Sequence, residues 1–386
     1  MDPLLQVILV LVVAKVFGEI VERTGYPALI GEIGAGVLLG PSVLGLVAYG
    51  GAIEFFADIG IIALLFISGV QMNMKSFAAS EKAAVSTALA GVGVPLALGI
   101  LLGVFAGFSP VETLFVGIAL SITSIGIAVR ALIDLRRLDT PSGTTITGAA
   151  VIDDILGIVL LAVLTAVASG SGGAVVYTVA AGAAFILGSI FIGKRLLPYI
   201  LVRARQSRTH EMPYSAAIAV ALLMGWLSNL AGLHYAIGAF FAGLLLGDQI
   251  RNDRELFDGL ADFAFGFFVT IFFASVGLLF EAGPEIVLSP LVLPLVAVAF
   301  AGKILGGYLG ALPFLAHRAE ALIVGIGLCP RGEITLVVAK VALLGGLITR
   351  PLFSAFMVTV IVTVVVTPAL MAAAYRRWLP TGGRPP

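Results

Sequence analysis

Two adjacent carboxylates, Asp153 and Asp154, stand in the sequence VIDDILG (151–157), inside an apolar run from Gly148 to Ala168. A charge at the centre of a membrane helix costs about 2.5–3.5 kcal/mol on insertion scales, so intramembrane acids mark ion and proton pathways. Neighbouring helical residues point about 100° apart. One carboxylate can therefore face a helix partner while the other faces a cavity. Lys303, in FAGKILGG (300–307), is the available partner, and the small residues around it let a second helix approach. A buried lysine–aspartate pair offsets part of the desolvation cost of both groups. Such a pair alone would be a helix cross-link with no part in transport, but a cross-link has no need of the second acid. The acid left over can take up a proton or a small hard cation. Thr123 and Ser124 are candidates to add hydroxyl and carbonyl ligands. Proton and cation would then compete for one site, and competition at a site open alternately to each face of a membrane gives exchange.

Such a site needs elements to hold it in mid-membrane. CPRGE (329–333) interrupts an apolar stretch, because Pro330 removes a backbone donor and Gly332 loosens the helix beside it. Arg331 and Glu333 are two residues apart and would not face each other on a regular helix. They are expected to pair mutually or between helices and so hold a crossing together. SITSIG (121–126) is the candidate second break, in which Ser121, Thr123, Ser124 and Gly126 satisfy or replace freed backbone groups. The plainer reading of that segment is a continuous helix whose small residues pack closely. Half-helices meeting at midplane bring positive N-terminal and negative C-terminal ends together, and ionisable side chains nearby can neutralise them.

Composition sets the class. The 386 residues are 60% hydrophobic and 11% charged, which cannot supply the polar surface of a soluble domain. The chain reads as an all-α polytopic membrane protein. Zero net charge gives no basic footprint for nucleic acid. The single cysteine, Cys329, excludes an intrachain disulfide, and the three histidines are too scattered for a metal cluster. No cofactor is expected. The start MDPLLQVILV has no basic n-region and reads as a first transmembrane helix, not a cleaved signal. Residues 379–386 read as a disordered tail.

A helix needs about 20 apolar residues to cross a bilayer. Turn signals and charges divide the chain into thirteen spans: roughly 4–22, 27–46, 53–72, 83–105, 111–133, 144–168, 174–197, 213–231, 234–247, 260–280, 287–314, 319–345 and 352–375. Of the 22 lysines and arginines, seventeen follow odd-numbered spans and one, Arg350, follows an even one. Lys15, Lys303, Arg331 and Lys340 lie within spans. Positive charge marks the cytoplasmic side, so the N-terminus is expected outside and the C-terminus in the cytoplasm. Within the spans, Glu32 is expected to fill a helix contact, and Lys15 and Lys340 to snorkel toward span ends. Met72 and Met74 read as packing residues.

The sequence also repeats itself. IGEIGAGVLLG (30–40) aligns with IGAFFAGLLLG (237–247) at an offset of 207, and GIALS (117–121) with GIGLC (325–329) at 208. Phe66 and Ser68 align with Phe273 and Ser275. The paired spans are seven apart, and an odd separation means opposite directions of crossing. That is an inverted-topology repeat, characteristic of secondary transporters.

VIDDILG (151–157), SITS (121–124), LCPRGE (328–333) and PALIGEIGAGVLLGP (27–41) together resemble the cation:proton antiporter family, in particular its bacterial sodium/proton antiporters of the NapA type. The likeness covers about residues 4–376, with Cys329 a departure where alanine is common. It implies the sodium/proton antiporter fold and a homodimer in the cytoplasmic (inner) membrane that exchanges Na+ or Li+ for H+. The implied domains are scaffold and dimerisation helices at 1–80 and 211–283, ion-carrying core helices at 81–170 and 284–378, and a linker helix at 171–210. Asp154 would bind the ion and proton, helped by Thr123 and Ser124, and Asp153 would form the salt bridge to Lys303. Paired aspartates imply electrogenic exchange. Potassium/proton exchange is the alternative within the family. An intramembrane aspartyl protease would need its acids on two facing helices, so an enzyme is not expected. A channel would show flux independent of a proton gradient.

Overall fold

The computed structural model describes residues 2–71, 82–137, 140–168, 180–182, 184–231, 233–280 and 289–378. Met72, Met74, Lys75 and the 379–386 tail lie outside the described residues, as does the side chain of Glu333. Every regular element among the described residues is helical. Among the described residues nine helices are long and apolar enough to cross a membrane, and Ala28–Leu39, Pro110–Ser121 and Ile334–Leu344 are shorter apolar helices. The chain is a multi-pass membrane protein, and its spans fall into two compact units.

The first unit comprises Met1–Met74 and Thr165–Phe280. Its helices are α1 (Pro3–Arg23), α2 (Ala28–Leu39) and α3 (Gly51–Gln71). The second comprises Lys75–Leu164 and Glu281–Pro386. It opens with α4 (Lys82–Phe105), α5 (Pro110–Ser121), α6 (Ile125–Asp134) and α7 (Pro141–Ala168), the last of which runs to the boundary. The chain then returns to the first unit for α8 (Ala180–Arg205), α9 (Met212–Leu230), α10 (Tyr235–Arg251) and α11 (Arg254–Leu278). It finishes in the second with α12 (Val292–Ala311), α13 (Arg318–Gly327), α14 (Glu333–Leu344) and α15 (Arg350–Trp378).

Local chemistry explains several starts. Asp2 accepts from the amides of Leu4 and Leu5, with Pro3 opening α1. Ser109 and Glu112 close a capping box at the head of α5. Asp253 caps α11, so that helix begins at Arg254, earlier than the expected span start at 260. Its first turns are polar, which the apolar-run criterion does not register. α8 and α11 each contain a π-helical turn, Ser189–Gly193 and Ala264–Phe268.

The packing is built on glycine, and it repeats. In α2, Gly31 lies against the backbone of Phe17 and Gly18; in α10, Gly238 lies against Met224 and Gly225. Gly277 faces Ile33 and Val37, and Gly69 faces Phe240 and Leu244. In the second unit a Cβ added at Gly99 would stand 2.7 Å from Gly117 Cα, and one at Gly307 would stand 2.6 Å from Gly325 Cα. Each pair of contacts is related by 207 or 208 residues, the offset read in the sequence. Small residues let helix backbones touch, which is how helices associate where lipid removes the hydrophobic driving force.

Gly99→Ala is therefore expected to destabilise the protein by about 1–3 kcal/mol, the usual cost of overpacking. Gly93→Ala, in the same helix but with nothing within 4 Å of the added Cβ, is expected to be neutral or slightly stabilising. Thermal unfolding of the two variants in detergent checks the contrast; equal effects would mean the contact is not as tight as described.

Candidate functional site

The site is assembled in the second unit around two interruptions. α5 ends at Ser121 and α6 begins at Ile125, with Ile122 extended between them. α13 ends at Gly327 and α14 begins at Glu333, leaving Leu328–Gly332 outside the helical ladder. The two breaks are joined directly: the Ser124 amide donates to the Pro330 carbonyl at 2.8 Å. Gly332 is needed there, because a Cβ would collide with the Ser124 hydroxyl.

Arg331 is wholly buried, and its contacts among the described residues are to main-chain carbonyls. Its guanidinium donates to the carbonyl of Leu120 at 2.5 Å, to that of Ala299 at 3.0 Å, and to that of Cys329. Leu120 is in the last turn of α5 and Cys329 lies just past the end of α13. The positive charge thus sits at the carbonyl, negative ends of two half-helices, where the helix dipoles favour it. The expected pairing with Glu333 falls on a side chain outside the described residues. The Leu120 and Cys329 carbonyls are left over by the breaks and need a donor. The Arg331 amide is bonded in turn to Thr363 Oγ1 at 3.3 Å.

The paired aspartates sit in α7, which is regular through this region. Asp153 is fully buried and its Oδ2 accepts from Lys303 Nζ of α12 at 2.7 Å and from the Thr123 hydroxyl at 2.7 Å. Lys303 is fully buried as well. Asp153 Oδ1 has no hydrogen-bond partner among the described residues. Thr123 also lies 3.1 Å from the Leu328 carbonyl, so this one hydroxyl links the first break, the second break and α7. Asp154, the next residue, is 5% exposed. It too takes part in a polar interaction, so it is not an isolated carboxylate.

Of the residues singled out in the sequence, Thr123, Asp153 and Lys303 are thus in mutual contact. Ser124 and Pro330 meet through their backbones, and Gly332 packs on Ser124. Ser121 turns back to bond the Ile118 carbonyl of its own helix at 2.7 Å, and Gly126 lies in the first turn of α6. Lys340 does not snorkel: it is fully buried in α14 and engaged there. Sequence reasoning missed the acceptor roles of the Leu120, Ala299 and Leu328 carbonyls, which no side-chain pattern announces. No group of three or more His, Cys, Asp or Glu among the described residues could hold a metal ion.

A family described as "Sodium/hydrogen exchanger, transmembrane" matches residues 8–373. The Na(+)/H(+)-K(+) antiporter GerN of Bacillus cereus is 29% identical over 369 residues, covering 95% of this chain and 94% of the relative. A Na(+)/H(+) antiporter of Enterococcus hirae is 30% identical, covering 94% and 95%. The high-affinity Na(+)/H(+) antiporter NhaS3 of Synechocystis is 30% identical, covering 96% and 89%. The fold is similar to that of the sodium proton antiporter MjNhaP1 from Methanocaldococcus jannaschii, with a TM-score of 0.74 at 19% identity, over 97% of this chain and 99% of that one.

Removing one member of a buried ion pair leaves the other charge uncompensated, which costs about 3–5 kcal/mol. Asp153→Asn and Lys303→Met are each expected to destabilise the protein on that scale. The double variant is expected to lose much less than the two losses added together. A thermal-unfolding double-mutant cycle measures the coupling, and additive losses would show that the pair is not a unit.

Proposed function

The chain belongs to the sodium/hydrogen exchanger family, and from that premise we propose that it exchanges Na+, or Li+, for H+ by alternating access, with Asp154 as the residue that carries either ion in turn. Cation/proton exchange is the activity of the family. The observation that carries the finer reading is the difference between two neighbouring acids. Asp153 is bound to Lys303 and Thr123. Asp154, about 100° further round the helix, is also buried. Its carboxylate is the one assigned to a proton or a cation in turn. Ser124 and Thr123 contribute oxygen ligands, and the Asp153–Lys303 pair holds the site's remaining charge and couples its protonation to ion release. Two acids against one ammonium support electrogenic exchange.

In this reading the second unit is the ion-carrying core and the first unit is the scaffold that forms a homodimer, with 171–210 as a linker. The placement of basic residues supports a cytoplasmic membrane location with the N-terminus outside. A second reading, K+/H+ exchange, draws support from GerN, whose name includes K(+).

Proteoliposomes with an acidic lumen and a trapped pH dye test this. Adding Na+ outside is expected to alkalinise the lumen with the native protein and to do nothing with Asp154→Asn. A response to K+ alone would favour the second reading. No response of the native protein to any alkali cation would overturn the exchanger, and an unchanged response of Asp154→Asn would remove Asp154 from its role.

A further inference from the structure

Lys15, Glu32 and Thr270 form a polar cluster in the first unit that ion exchange at Asp154 leaves unused. Glu32 is 5% exposed, in an otherwise apolar helix. Its Oε1 lies 2.9 Å from Thr270 Oγ1 and 3.2 Å from Lys15 Nζ. Both groups also reach the carbonyl of Phe265, each at 2.9 Å. Phe265 stands in the π turn Ala264–Phe268. Such a turn interrupts the regular ladder, is frequent at functional sites, and leaves a carbonyl open to side-chain donors. Thr270 has a single hydroxyl proton and can satisfy only one of the two oxygens at a time.

The internal repeat supplies a control. The positions equivalent to Lys15 and Glu32 at the 207 offset are Leu222 and Ala239, and the position equivalent to Thr270 in the 208 register set by the Gly69 and Gly277 contacts is Ile62. The backbone contacts around them are alike in both copies: Gly31 on Phe17 matches Gly238 on Met224, and Gly277 on Ile33 matches Gly69 on Phe240. The second copy therefore builds the same helix packing from apolar residues alone. Packing does not require a buried carboxylate here, and the first copy has one nonetheless.

A carboxylate, a hydroxyl and a main-chain carbonyl are the oxygens a small alkali cation takes, and an ammonium, itself a compact monovalent charge, rests among them. The Lys15 side chain is 44% exposed and that of Glu32 only 7%, so the ammonium is the part free to withdraw. We propose that Glu32, Thr270 and the Phe265 carbonyl form a second site for a small monovalent cation, with the Lys15 ammonium as its built-in competitor. Na+ entering this site releases α1 from the π turn of α11. The site is independent of Asp154, and its failure would leave the exchange reading untouched.

The test uses the purified full chain carrying Asp154→Asn, which removes the proposed transport ligand. Radiosodium binding is measured against choline at equal ionic strength. Adding Lys15→Met is expected to raise Na+ affinity about tenfold or more, the scale of one lost charge-assisted contact. Adding Glu32→Gln to that variant is expected to abolish the gain. No gain with Lys15→Met, or a gain indifferent to Glu32→Gln, would overturn the proposal. Should Lys15→Met not fold, carbodiimide labelling of Glu32 with Lys15 intact is read by mass spectrometry. Protection by Na+ and not by choline is expected, and equal labelling in both salts would overturn the site.

Discussion

A backbone that stops being helical inside hydrocarbon leaves amides and carbonyls with no water to bond, and each costs several kcal/mol unless a partner is found. Both interruptions of this chain face that constraint together. Arg331 meets it for the Leu120 and Cys329 carbonyls and Ser124 for that of Pro330, while the one Thr123 hydroxyl proton is shared between the Leu328 carbonyl and Asp153. Once the breaks are satisfied in this way, the rest follows. Thr123 is fixed at the position where its hydroxyl bonds Asp153, and Asp153 is fixed where it meets Lys303. The buried charges and the broken helices are thus one arrangement, in which each side supplies what the other lacks.

The two copies of the repeat share their glycine contacts and differ in their polar residues. At the first break stands Thr123, a hydroxyl; at the equivalent place in the second stands Arg331, a cation. Lys303 aligns with Pro95, against which Gly302 packs. In the first unit the charged cluster around Glu32 faces apolar equivalents. A scaffold of matched backbone contacts has been furnished with unmatched chemistry, and the unmatched residues are where ionic interactions gather.

Much of this was legible in the sequence because membrane folding obeys strong rules. The all-helical class and the Pro330–Gly332 interruption correspond to described elements, and the pairing of Lys303 with an adjacent-acid motif is present as a bond. What was not legible has a common cause. The described partners of Arg331 are carbonyls, which every residue carries and no sequence pattern marks. Lys340 was expected to reach a span end, but it is fully buried on α14. Lys15 is bound to Glu32 and to a π-turn carbonyl, a turn that the apolar periodicity of α11 conceals. Tertiary context, not local propensity, decides where a long charged side chain ends.

The Leu120–Arg331 bond joins residues 211 apart in the chain. During synthesis at about 5–20 residues per second, the Leu120 carbonyl waits roughly 10–40 s for the guanidinium that satisfies it. α5 has 12 residues, and at about 1.5 Å per residue it reaches only some 18 Å into a hydrocarbon core about 30 Å thick. The early half of the protein therefore enters the membrane with an unfinished span, which water, lipid headgroups or the insertion machinery must shelter. Biogenesis of this molecule closes from its C-terminal end, and a ribosome stalled before Arg331 leaves behind a nearly full-length chain whose Leu120 carbonyl still lacks its donor.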